Sequence, residues 1–371
     1  GRLDHRTVFY DALDLPTSFV FHRDGVIVTQ APDILFLRDT DGDGVADRRE
    51  VLYTGFGFGD THATTSNLRW GLDGWVYATQ GYSGGGSRHV RNTLGKDFGH
   101  IGNGLFRFKP DGSAIEMVSS YSANTWGLDV TWDHEIFFTM ANDSHLRHVV
   151  LSEAVLSRGR VGQAASWKFI ADHRDSNPLI KDRLHPYQQI DFVGGFTAAA
   201  GSTVYDGGAW PDEYRSMHFV TECTVNLVHQ DRLIPDGVTY RAVKVRDEEF
   251  MAGTDLWFRP IDTQVGPDGA LYVVDFYNQA VVHNDTRGPR HGPYNAAIRP
   301  DRDRLHGRIW RVQHRQARSL PNVDFASVEG RVRAFEHPNR WARLTAQRLL
   351  CEEGRGGKEV RALLGRSATL S

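Results

Sequence analysis

Cysteine is scarce in this chain of 371 residues, with Cys223 and Cys351 the two present. They lie far apart and form no CxxC pair, so neither a disulfide framework nor a CxxCH haem site is encoded. Long apolar runs are also missing; nothing approaches the roughly 18 residues that a membrane-spanning helix needs. Neither sign of charge dominates, since 43 Lys and Arg stand against 46 Asp and Glu, a net charge of −3 with histidine neutral. That balance offers no basic surface to nucleic acid and no acidic tail. No secretory leader is visible and the chain opens on Gly1, so it reads as a fragment or a mature form.

Glycine is plentiful, at 38 residues, and aromatic side chains make up 11%. They recur in one pattern: an Asp-Gly turn, then a short alternating strand. It is read in "GLDGWVYATQG" (71–81), in "GPDGALYVVDF" (266–276) and, degraded, in "TWDHEIFFTMA" (131–141). "FRFKPDGSAIEMV" (106–118) puts the same turn between two strands, as a hairpin does. Alternation in "WVYAT" and "ALYVVD" fits half-buried strands. The units are irregular, roughly 40 to 60 residues long, which is the range of propeller blades. The expectation is an all-β fold, a propeller of about six four-stranded blades over residues 1–315. Function in such a ring sits on loops at one mouth of the central channel.

The tail, residues 323–371, has a different pattern. In "VEGRVRAFEHPNRWARLTAQRLLCEEG" (328–354), Trp341, Leu344, Ala346, Leu349 and Leu350 fall on one helical face. Pro338 and Asn339 suit a helix start and Gly354 a stop. "KEVRALLGR" (358–366) predicts a further helix. The pair reads equally as the first unit of a HEAT-like array or as a helix docked on the propeller.

"DTDGDGVADRRE" (39–50) is a complete twelve-residue calcium loop between two strand-like runs. Asp39, Asp41 and Asp43 would supply carboxylates, Val45 its carbonyl, Asp47 a water-bridged contact and Glu50 two oxygens, with Gly44 allowing the sharp turn. With every oxygen used to close the cage, the ion is expected to be structural.

Candidate chemistry lies elsewhere. In "GFGDTHATTSNLRWGLDGWVYATQGYSGGG" (57–86), His62 is on a loop between strands, where a general base could face the channel. Gly84–Gly86 would let backbone approach a ligand, but the run lacks the Lys and Ser/Thr of a phosphate loop. "TECTVNLVHQ" (221–230) offers Glu222 as a channel-facing acid or metal ligand, with His229 read as a packing residue.

The order His62, polar loop, "LRWGLDGWVYATQG" resembles the soluble quinoprotein sugar dehydrogenases, six-bladed propellers that use pyrroloquinoline quinone and calcium. The resemblance implies that His62 takes a proton from a substrate hydroxyl. "SANTWGLDVTWDHEIFFTMANDSH" (122–145) is similar to the next site segment of that family, with Asn124 in place. Ala123 stands where the family has an arginine. Asn142 and Asp143 fall where the family's loop holds its active-site calcium. In "FRPIDTQVGPDGALYVVDFYN" (258–278), Arg259 takes the place of an arginine that binds a cofactor carboxylate, and Arg69 is a further candidate cation. The wording "DTDGDGVAD" and "YRSMHFVTECTVNLVHQDRL", with the HEAT-like tail, resembles the dehydrogenase-type propellers of planctomycete-type bacteria. The implied activity is oxidation of a sugar or related alcohol or aldehyde, with electrons passing to a cytochrome c or similar acceptor, in the periplasm or outside the cell. Two alternatives stay open: a calcium-dependent lactonase using Glu222, Asn124 and Asp143, or a glycan- or protein-binding propeller without turnover.

Overall fold

The computed structural model describes residues 5–83, 89–121, 123–141, 145–159, 164–180, 195–278, 281 and 305–367. Its strands form five antiparallel sheets. The first contains Ser18–His22, Gly25–Gln30, Asp33–Arg38 and Arg48–Thr54, with the hairpin His89–Asn92 and Asp97–His100 added at its outer edge. The second contains Thr65–Trp70, Val76–Gln80, Gly104–Phe108 and Ile115–Ser120. Thr125–Val130, Ile136–Met140, Arg147–Val149 and Trp167–Phe169 make the third. Ala199–Val204, Met217–Glu222, Leu227–Asp236 and Thr239–Lys244 make the fourth, where Met251–Ala252 pairs with the third of these strands. Pro260–Val265, Leu271–Asp275 and Arg308–Val312 make the fifth.

The Asp-Gly turns form as the repeat predicts. Asp73 accepts the Trp75 amide and the Tyr77 hydroxyl, and Asp268 does the same for Ala270 and Tyr272. Gly74 and Gly269, both at φ 71°, take the left-handed conformation that these turns require. In the degraded copy His134 takes it instead, at φ 68°.

The core lies between sheets. Ile34, Phe36, Tyr53, Leu68, Phe106 and Phe108 fill the space between the first and second. Tyr77, Leu105, Leu128 and Phe138 fill the next gap. Phe137, Leu146, Val204 and Leu233 join the third sheet to the fourth, and Trp210, Phe219, Leu271 and Val273 join the fourth to the fifth. Each sheet is thus buried by its neighbours, which defines a β-propeller. Among the described residues five sheets stand where about six blades are expected from the repeat. The hairpin at residues 89–100 extends the first sheet rather than building a blade of its own.

The first strands of the sheets all run in one direction. Ser18, Ser66, Trp126, Ala200 and Ile261, near their beginnings, line one cavity. Their far ends meet the tail. Helix Arg340–Glu353 starts at Asn339, whose side chain accepts the Trp341 amide, and stops at Gly354 in the left-handed conformation. His22 bonds Glu352, the Leu72 carbonyl accepts Gln347, and Asp129 and the Val130 carbonyl accept Arg340. Asp206 pairs with Arg343, and the Gly266 carbonyl accepts Asn339. One helix and its cap therefore touch all five sheets at the end remote from the cavity. Shorter helices, Val328–Arg333 and Gly357–Ser367, flank it. Among the described residues no helix is long and apolar enough to cross a membrane.

Candidate active site

The cavity at the open mouth has a volume of about 250 Å³. It is shaped by a repeated irregularity. The first hairpins of the second to fifth sheets each slip register near the mouth, between Ser66 and Arg69, Thr125 and Leu128, Ala199 and Ser202, and Pro260 and Asp262. A bulge re-aims side chains, and Asn67, Trp126, Ala200 and Ile261, which lie within these four slips, all line the cavity. Asn67 is held at φ 53°, in the left-handed region. The slips bring adjacent strands so close that a Cβ on Gly127 would sit 1.9 Å from the Ala200 carbonyl oxygen.

His62 lines this cavity. Its loop is anchored by buried Asp60, whose carboxylate accepts the His62 amide at 2.8 Å and the Tyr82 hydroxyl, while Ser83 bonds the Asp60 backbone. The same carboxylate lies 3.8 Å from His62 Nδ1, within ion-pairing distance of an imidazole that is 35% exposed. Asn124 donates to the His62 carbonyl at 3.1 Å. Its Oδ1 is buried without a partner, and it presses on Gly81, where a Cβ would lie 2.3 Å from that oxygen. The structure thus joins His62 and Asn124 in one unit and adds Asp60, Trp126 and Asp262, which the sequence reading missed. Gly127 and Gly201 inside strand patterns were the available signal for bulges.

The cations are placed otherwise than expected. Arg259 is fully buried. Its guanidinium donates to the backbone carbonyls of Asn278, Cys223 and Thr224, and burial pushes its pKa down to about 10. Cys223 and Thr224 line the cavity, so Arg259 supports the wall from behind. Arg69 donates to the Leu68 carbonyl and pairs with Asp262 at 3.2 Å, joining the second sheet to the fifth. Among the described residues lining the cavity there is no Arg or Lys. A quinone with several carboxylates needs such donors, so the described residues do not fit that cofactor. Asn142 and Asp143 lie outside the described residues.

Glu222 is also fully buried. Its two oxygens accept the amides of Thr197, Ala198 and Thr224 and the Thr224 hydroxyl. Burial pushes its carboxyl up to about 7 against these four donors. It binds backbone at the cavity wall, a strut rather than an acid aimed into the channel.

In the acidic loop, one carboxylate oxygen each from Asp39, Asp41 and Asp43 converge within 4.8 Å. The Gly42, Asp43 and Gly44 amides fold back onto Asp39. That turn fits a cation at the three acids. Asp47 instead accepts the Thr40 amide and hydroxyl. Glu50 sits on a strand opposite Phe36 and reaches Arg38 at 3.4 Å. Val45 donates its amide to Asp43. Three of the expected carboxylates are therefore gathered, while Glu50, without a following helix, is taken into the ladder by its strand.

The fold and mouth define a propeller with a cavity at one end of its channel, where polar groups are set in a largely apolar wall. The chain belongs to the family described as "Domain of unknown function (DUF7133)", whose match spans residues 1–316. No curated protein matches it. Similar solved structures include a luciferin-regenerating enzyme (11% identity, TM-score 0.43, covering 82% of this chain and 79% of that one). A glucose dehydrogenase is similar at 14% identity and TM-score 0.40, over 72% of this chain and 95% of that one. The PQQ-bound aldose sugar dehydrogenase of Streptomyces coelicolor is similar at 14% identity and TM-score 0.37, over 72% and 74%. Likenesses of this strength bear on neither substrate nor cofactor.

Proposed function

We propose that the channel cavity is the active site of an enzyme acting on a neutral, hydroxyl-rich substrate of the sugar class, with His62 as general base and Asp60 as its orienting carboxylate. The observation that carries this reading is the His62–Asp60 pair at a cavity where hydroxyls, amides and the Asp262 carboxylate are set in a mainly apolar wall that includes Trp126 and Ile261. Trp126 offers a flat apolar face to a sugar ring, and Asn67, Asn124, Ser18 and Ser66 offer hydrogen bonds to its hydroxyls. A neutral imidazole can take a hydroxyl proton near pH 7, and Asp60 would stabilise the imidazolium that results.

Oxidation of a sugar or related alcohol or aldehyde is the first reaction to test, because the sequence resembles the quinoprotein sugar dehydrogenases. A cytochrome acceptor and a periplasmic or extracellular location belong to the same reading. In it, this chain's own part is to hold the substrate and remove its proton. Lactone hydrolysis is the second reading, favoured by the lack of cations among the described lining residues. There His62 would take a proton from water, the hydroxide would add to the carbonyl carbon, and the ring oxygen would leave and recover the proton.

The test is a panel of sugars and sugar lactones assayed with the purified chain. Dye reduction is followed with quinone and calcium added, and lactone opening is followed without quinone. Dye reduction abolished in His62→Gln supports oxidation, and quinone-independent lactone opening abolished in that variant supports hydrolysis. Sugar binding without turnover, unchanged in His62→Ala, would mark a binding module and overturn the enzymatic reading.

A further inference from the structure

A second group of reactive side chains lies away from the channel lining, between the third and fourth sheets. His145 precedes Arg147–Val149, His173 follows Trp167–Phe169, and His229 and Asp231 stand on Leu227–Asp236. One ligand atom from each of the four lies within 4.8 Å of all the others. His145 Nε2 is 2.8 Å from Asp231 Oδ2. His229 Nε2 and His173 Nε2 are 3.3 and 3.5 Å from Asp231 Oδ1, and 2.9 Å from each other. His145, His229 and Asp231 are at most 1% exposed, and the His173 side chain is 10% exposed.

The outer hydrogens on two of these rings, His229 and His173, can be assigned. His229 Nδ1 lies 2.6 Å from Glu249 Oε2, and His173 Nδ1 lies 2.8 Å from Asp172 Oδ1. An ionised carboxylate only accepts, so each Nδ1 carries its hydrogen, and a neutral ring then presents a lone pair at Nε2. Two such lone pairs and Asp231 Oδ1 face one another, and that oxygen has no hydrogen-bond partner. Three electron pairs meeting in a buried space require a cation. The choice is a metal ion or one extra proton.

The geometry favours the metal. Zinc bonds of about 2.0–2.1 Å at tetrahedral angles set ligand atoms about 3.3 Å apart. The three separations among His173 Nε2, His229 Nε2 and Asp231 Oδ1, from 2.9 to 3.5 Å, bracket that value, with His145 Nε2 at the other oxygen of the same carboxylate. Imidazoles with one carboxylate suit zinc and its neighbours. Carboxylates on the outer ring nitrogens are the usual support for metal-binding histidines. We propose that His145, His173, His229 and Asp231 bind one divalent transition-metal ion of the zinc class, clamping the third sheet to the fourth. Four protein ligands leave no open position, so the ion is structural. His145 stacks on Phe196 at 4.2 Å, and the next two residues, Thr197 and Ala198, line the channel cavity. The clamp thus also holds that wall.

The test strips the chain with a chelator and adds cobalt(II) alone. One equivalent should bind and show the intense visible bands of a four-coordinate ion, and zinc should displace it and raise the melting temperature. His173→Asn and Asp231→Asn should abolish the bands. His89→Gln, at an exposed histidine outside the cluster, and Asp43→Ala, in the acidic loop, should keep them. His173 lies at the edge of the cluster, so its variant remains informative if Asp231→Asn fails to fold. Cobalt bands that survive His173→Asn, or no cobalt and zinc binding at micromolar concentrations, would overturn the proposal and leave a protonated cluster.

Discussion

At the scale of single residues, the cavity separates side chains that could react from side chains that hold the wall. His62→Gln should lower turnover by roughly 10²–10⁴-fold, the usual contribution of a general base, while sugar binding measured by titration stays within a few-fold. Equal losses in binding and turnover would place His62 in recognition alone. Arg259 is of the other kind. Arg259→Ala removes the donor from three buried carbonyls, at about 1–3 kcal/mol for each left unsatisfied. Denaturant unfolding should register a loss on the order of 3 kcal/mol, with quinone or sugar affinity unchanged in the folded fraction. The place of His62 on a polar loop was legible because an alternating strand follows that loop. Arg259 was legible as important but not as buried, because a sequence shows which residue follows Phe258 and not which carbonyls surround it. Asp60 and Asp262 were hidden for the same reason, since their partners, Tyr82 and Arg69, are distant in the chain.

At the scale of elements, the strands and turns were read from the chain directly, since Asp-Gly followed by alternation specifies a turn and a pleat within a dozen residues. The acidic loop was read only in part. Its first half is a local turn and forms as written, whereas Glu50 obeys the strand to which it belongs. Removal of divalent ions by a chelator should lower the melting temperature, because an ion bound only by the native state stabilises it. Asp43→Ala should remove the part of that shift that calcium restores. The capping helix makes a pH-dependent contact. Burial alone would raise the Glu352 carboxyl, but the His22 bond, the Arg23 amide and Arg348 outweigh it and hold its pKa below the usual glutamate value. A depressed folded pKa stabilises above the unfolded value, near 4.5, and that stability is lost as pH falls through the folded one. Glu352→Gln should therefore lower the melting temperature at pH 7, and the difference from the unmutated chain should shrink below about pH 4.

At the scale of the whole molecule, the ring was visible as a repeat but its closure was not. Irregular units give a count only to within one, and the hairpin at residues 89–100 joins an existing sheet. The docking of the tail could not be read either, because Arg340 and Asp129 are 211 residues apart in sequence. That pair is nearly buried, with side chains 13% and 5% exposed. Arg340→Ala should cost about 3–5 kcal/mol in denaturant unfolding, since it strands a carboxylate away from water; a loss under 1 kcal/mol would show that the helix rests on the ring without holding it.

With that helix laid over the remote end, the described residues leave the cavity at the mouth as the way to His62. On the proposed reading, a substrate that reaches His62 enters past Trp126 and its product leaves by the same route, so the two contend for one passage. Product should then inhibit competitively, and a bulky group grafted at the rim should slow arrival and departure together.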